Sequence, residues 1–127
     1  MSHCFPDELI LRDAGMRGGS RIFRLVHYYR VRTSYGTCTI PTGFETDGAS
    51  VPQVFWNILQ PFGEYFPAAL LHDFLYSQCS TGRFETNREE ADFLFLEAMH
   101  NAGVPWHTRH TIHAAVRMFG WRSYKRR

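Results

Sequence analysis

A histidine and an aspartate set inside an apolar helix constrain this chain more than any other feature. The segment starts at Pro67, whose missing N–H costs nothing in a first helical turn, and runs to about Cys79. Its neighbours Ala68, Ala69, Leu70, Leu71, Phe74 and Leu75 are apolar, yet His72 and Asp73 stand in the middle. On a helix His72 and Tyr76, four residues apart, share a face, and Asp73, rotated by about 100°, meets the same cavity from its edge. An ionised carboxylate is costly to bury unless a cation, a metal or several donors compensate it. Asp92 raises the same question in the next apolar helix. An antiparallel pair of these two helices brings Asp92 opposite His72 and Tyr76.

The surrounding elements follow from pattern. Arg21 to Ile40 reads as a β-hairpin: Ile22, Phe23, Leu25, Val26, Tyr28, Tyr29 and Val31 are apolar, β-branched or aromatic, and Ser34-Tyr35-Gly36 is the turn. Leu9-Ile10-Leu11 is a short strand upstream, and Arg17-Gly18-Gly19-Ser20 a connecting loop. Gly43 to Pro52 breaks the strand pattern. Ser50 and Gln53 have capping-box spacing, which starts a short helix carrying Val54, Phe55, Ile58 and Leu59. Thr86 and Glu89 form a second box before Ala91, Phe93, Leu94, Phe95, Leu96, Ala98 and Met99, and that helix stops near Asn101 to Gly103. A last helix starts at Pro105 and ends before Gly120, with Ile112, Ala115, Val116 and Phe119 on one face. The expected fold is α+β, an N-terminal antiparallel hairpin or small sheet packed on a C-terminal bundle of three to four helices.

At 127 residues the chain is read as one domain, β-rich over about 9–47, helical over about 50–120, with a basic tail at 121–127. A hydrophobic fraction of 44% and an aromatic fraction of 16% exclude a disordered segment. The net charge of +2 leaves basic character local, at Arg122, Lys125, Arg126 and Arg127, where a solvated tail is the simpler reading than a nucleic-acid site. Cys4, Cys38 and Cys79 are odd in number and without C-x-x-C spacing, so they encode neither a disulfide framework nor a thiolate zinc site. The N-terminus lacks the form of a signal peptide, and no apolar run approaches the roughly 20 residues of a membrane span.

The chemistry of the cluster has two readings. In one, Asp92 holds one imidazole nitrogen of His72, the other nitrogen acts as a general base on water, and Tyr76 orients Asp92. Asp73 is then a hard oxygen ligand for calcium or magnesium, while zinc or manganese on imidazole and carboxylates is the alternative. In the other reading the four residues are a satisfied hydrogen-bond network that fixes helix packing. The loop Gly43 to Pro52 offers Thr46, Asp47 and Ser50, either as caps of the next helix or as further ligands, with Asp47 a second metal carboxylate. His107, His110 and His113 drift around their helix and are read as surface or packing residues, and His100 as a partner of its helix terminus.

Four ordered motifs carry a resemblance over about Ile22 to Gly120. They are Gly43-Phe44-x-Thr46-Asp47-Gly48-Ala49-Ser50-Val51-Pro52, Leu71-His72-Asp73-x-Leu75-Tyr76, Ala91-Asp92-x-x-Phe95 and Ala115-Val116-Arg117-x-x-Gly120. Together they resemble a bacteriophage and prophage family, domain of unknown function 1353, which implies a phage origin and a place in the host cytoplasm or the virion. A looser resemblance is to phospholipase A2 of the viral type. It implies His72 as the water-activating base, Asp73 as the calcium carboxylate, Tyr76 as support and Asp92 as the histidine's partner. The chain lacks that family's Tyr-x-Gly-x-Gly calcium loop, and its cysteines cannot form the disulfides of the secreted enzymes.

The functions to weigh are therefore three. A metal-assisted hydrolase of ester or phosphoester bonds, able to contact a lipid surface, comes first. A non-enzymatic virion, tail or host-takeover protein that binds through an aromatic patch including Trp106 and Trp121 comes second. Nucleic-acid binding through Arg117 and the basic tail comes last.

Overall fold

The computed structural model describes residues 5–46, 65–77 and 87–119. Five strands come first: β1 (Leu11–Arg17), β2 (Ser20–Leu25), β3 (Tyr29–Thr33), β4 (Gly36–Ile40) and β5 (Glu45–Thr46). Three helices follow: α1 (Tyr65–Ser77), α2 (Arg88–Asn101) and α3 (Trp106–Phe119). One antiparallel sheet has the order β1-β2-β5, and β3 pairs with β4 in a second. The α+β arrangement is the one expected from the sequence.

The hairpin over Arg21 to Ile40 needs correction. Its first half turns back on β1, through Gly18 and Gly19, whose φ angles of 59° and 84° are the left-handed values a two-residue hairpin turn demands. The supposed connecting loop is thus a hairpin turn, and the strand-like run is cut at Val26, His27 and Tyr28. Those three residues are all exposed while Leu25 and Tyr29 are buried, so the period-two alternation of a half-buried strand fails there. The backbone N–H of Leu25 bonds to Phe44 O at 2.8 Å and its carbonyl accepts from Gly43 N at 2.8 Å. Those bonds draw the β4–β5 connection alongside β2, and Glu45 then forms ion pairs with Arg17 (2.7 Å) and Arg24 (2.8 Å) on the sheet surface.

The helices lie close to their expected places. α1 begins two residues before Pro67, which stays within the first turn, where no intrahelical partner is lost. The box that opens α2 is set one residue later than expected: Asn87 Oδ1 accepts from Glu90 N at 2.8 Å, and Glu90 Oε1 accepts from Asn87 N at 3.0 Å. At its other end Gly103, with φ 90°, and Val104 return N–H bonds to His100 O and Met99 O, a Schellman closure in which Val104 is buried. The short helix expected from Ser50 lies outside the described residues.

One buried cluster joins the layers. Leu25, Tyr29, Val31, Ile40 and Phe44 from the strands meet Leu71, Phe74, Leu75, Leu94, Phe95 and Ile112 from the helices. Phe44 packs edge-on to Phe74 with ring centroids 5.3 Å apart, and Ser34 N donates to Glu97 Oε1 at 2.9 Å, so both sheets are tied to the helices. Cys38 is buried in this core, and burial pushes its thiol up to about 12, which makes it inert at neutral pH.

Candidate functional site

The middle of α1 faces the first turns of α2. His72 and Tyr76 are one helical turn apart and both reach the same oxygen: His72 Nε2 lies 2.7 Å and Tyr76 Oη 2.5 Å from Asp92 Oδ1. The other carboxylate oxygen, Oδ2, accepts from Arg117 Nη1 of α3 at 2.8 Å. His72 and Asp92 are each 0% exposed. The imidazole is held between rings, stacked on Phe95 at 4.5 Å and tilted against Tyr76 at 4.1 Å, so its plane is fixed by packing as well as by hydrogen bonding.

The charges follow from these contacts. Burial drives His72 below the ordinary histidine range, against the pull of Asp92, and the ring is neutral at neutral pH. Burial works to raise the Asp92 carboxyl, but hydrogen bonds from His72 and Tyr76, with Arg117 behind them, prevail and hold it below the usual carboxylate range. Burial first, and Asp92 second, keep the Tyr76 hydroxyl protonated, so it donates. A neutral imidazole facing an ionised carboxylate through Nε2 donates from that nitrogen. This is the arrangement by which a carboxylate orients a histidine for proton abstraction.

Arg117 is itself held from below. Arg88, the first residue of α2, donates through Nη2 to Val116 O at 2.9 Å and to Arg117 O. Those carbonyls belong to the last turn of α3, where intrahelical donors run out and a cation is favoured. Three helices therefore converge on one carboxylate.

Comparison with known proteins places the chain. The model of a protein family of unknown function, DUF1353, matches residues 23–116. The chain belongs to that family. An uncharacterized protein, y4jT, from Sinorhizobium fredii is 36% identical over 83 residues, which is 64% of this chain and 23% of the relative. The chain thus spans less than a quarter of that relative's length. No solved structure matches it.

In this DUF1353 chain the structure brings together His72, Tyr76 and Asp92. Asp73 turns away from them toward the sheet, half-buried, and its Oδ2 accepts from the hydroxyl of Thr46 in β5. Asp47, the second carboxylate assigned to a metal, lies outside the described residues. Calcium takes six to eight oxygen ligands, and the described residues provide one carboxylate and one hydroxyl there, which by themselves do not make a site for it. Among the described residues no group of three His, Cys, Asp or Glu side chains could hold a metal ion. None of the described helices is long and apolar enough to cross a membrane.

Arg117 and Arg88 are what sequence reasoning missed. Arg117 was counted with the basic residues available to a polyanion, whereas its guanidinium is turned onto Asp92. The signal was Asp92 itself, since a buried carboxylate requires a cation, and Arg117 adjoins Val116 on the apolar face of α3. His113, one turn before Arg117 and half-buried, is depressed by burial and lies within the field of Asp92, while His107 is exposed.

Proposed function

We propose that the chain is a small hydrolase of ester or phosphoester bonds in which His72 is the general base and Asp92 its orienting carboxylate. The observation that carries it is the 2.7 Å contact from His72 Nε2 to Asp92 Oδ1, backed by Tyr76 on the same oxygen. In the forward step the imidazole of His72 takes a proton from water, the hydroxide oxygen bonds to the ester carbonyl carbon or phosphorus, and the imidazolium returns the proton to the leaving alcohol. Asp92 stabilises the imidazolium meanwhile. The resemblance to viral-type phospholipase A2 supports an acyl ester at a lipid surface. Calcium at Asp73 belongs to this proposal as an untried ligand, and no step above runs through it. The four ordered motifs support a phage-encoded protein acting in the host cytoplasm or the virion.

The test uses p-nitrophenyl butyrate, dispersed phosphatidylcholine and bis-p-nitrophenyl phosphate, each with added calcium and with chelator. His72→Gln should lower turnover by about 10²- to 10⁴-fold with circular dichroism unchanged, and Asp73→Asn should remove any calcium dependence. Wild-type protein that turns over none of the three probes and binds no calcium by titration would remove the basis of the hydrolase.

A second reading rests on a specific observation: His72 and Asp92 are both sealed from solvent and the carboxylate is neutralised by Arg117. A network of that kind also serves as a packing hub in a non-enzymatic phage protein. Trp106, 58% exposed and packed on His107 and His110, would then be a docking residue. Copurification with virions, lost in Trp106→Ala and kept in His72→Gln, would decide for it.

A further inference from the structure

We propose that Arg117 is the positioning residue of the His72–Asp92 pair, holding Asp92 as an oriented carboxylate and thereby fixing the imidazole tautomer with its proton on Nε2. Its catalytic consequence rests on the hydrolase proposal above; the tautomer itself does not.

The two oxygens of Asp92 are divided between helices. Oδ1 receives His72 and Tyr76 from α1, and Oδ2 receives Arg117 from α3, so the carboxylate plane is pinned from opposite sides. Remove the guanidinium, and a fully buried carboxylate keeps only neutral donors. A carboxyl group in that position takes up a proton, because desolvation penalises the charged form. An O–H on Oδ1 would face the ring nitrogen Nε2, 2.7 Å away, and the imidazole proton would move to Nδ1. A histidine so arranged accepts from Asp92 at Nε2 instead of donating to it. Among the described residues, Arg88 lies beside Tyr76 and donates to the carbonyls of Val116 and Arg117 rather than to Asp92, and burial lowers the pKa of His113.

Arg88 adds a second layer. By binding the carbonyl of Arg117 it fixes the backbone from which the guanidinium extends, so the order runs Arg88, Arg117, Asp92, His72. The side chain of Arg117 is 35% exposed while that of Asp92 is 0% exposed, so a small cation can approach from solvent once the arginine is shortened. The contact uses a single nitrogen, which a lysine ammonium can imitate even though it cannot form a fork.

The experiment takes the full chain with ¹⁵N-labelled histidine and reads the two ring-nitrogen shifts of His72, assigned by their loss in His72→Gln. Wild type should give the Nε2–H form. Arg117→Ala should give the Nδ1–H form or a mixture, added guanidinium ion should restore the wild-type pattern, and Arg117→Lys should retain it. On p-nitrophenyl butyrate, Arg117→Ala should lower kcat by about 10- to 100-fold at constant KM, a range typical of lost groups behind a catalytic ligand, with recovery in Arg117→Lys. A folded Arg117→Ala with the wild-type tautomer overturns the inference. If Arg117→Ala does not fold, Arg117→Met carries the same test, and a tautomer unchanged from wild type there also overturns it. Wild type that turns over none of the three probes above and binds no calcium, but whose tautomer is governed by Arg117, sinks the hydrolase proposal and leaves the positioning role standing.

Discussion

Asp92 shows how one residue can be expensive and indispensable at once. It is sealed from water, and three donors from two other helices offset that cost. Asp92→Asn keeps the shape but strands a guanidinium; because Arg117 can partly rehydrate, a loss of about 3 kcal/mol is expected in urea unfolding. His72 sets a pH dependence. Its folded pKa is depressed, so the unfolded chain binds more protons between that value and the ordinary 6.5. Stability is therefore full above about pH 6.5 and falls as pH drops toward the folded value, by up to about 1.4 kcal/mol per pH unit for one group. His72→Gln should flatten part of this slope in thermal melts between pH 7 and 5, as read against wild type; the depressed His113 leaves a remainder. The trio His72, Tyr76 and Asp92 was legible because a polar i, i+4 pair and a lone acid, each set in an apolar helix, satisfy one another most cheaply by meeting. Arg117 was not, since a long basic side chain at the flank of a helix reads as surface until its partner is known.

At the level of elements, helices were readable and strands less so. Apolar periodicity and punctuation located α2 and α3, and the box at Asn87 differs from the expected one by a single step because both share the same x-x-Glu spacing. The long apolar stretch around β2 and β3 misled, because exposed Val26 and Tyr28 resemble strand residues in type. What separates them is which sheet each strand joins, and that is decided by partners distant in sequence. Asn87→Ala should cost about 1 kcal/mol in urea unfolding through loss of the cap of α2. Gly103→Ala should also destabilise, since its φ of 90° strains any side chain although nothing crowds the position.

For the molecule as a whole, the polar cluster depends on a sheet that contributes none of its four members. Phe44 sits between β4 and β5 and meets Phe74 on α1, and two residues later Thr46 meets Asp73. Phe44→Ala should cost about 3–5 kcal/mol, and hydrogen exchange should report faster opening of α1 amides than of α3 amides. Composition and patterning were enough for the α+β class and for a sheet packed on helices, whereas the particular contacts, such as Phe44 on Phe74, join residues distant in sequence and were not legible.

The family match ends at Val116, one position short of Arg117. Any shorter version of this unit cut at that point, whether by a gene fusion or by an expression design, would keep all three polar members of the helix pair and discard their counter-charge. Such a fragment would keep a sealed acid without the guanidinium bonded to it, and part of its lost stability would belong to that one group rather than to the shortened helix.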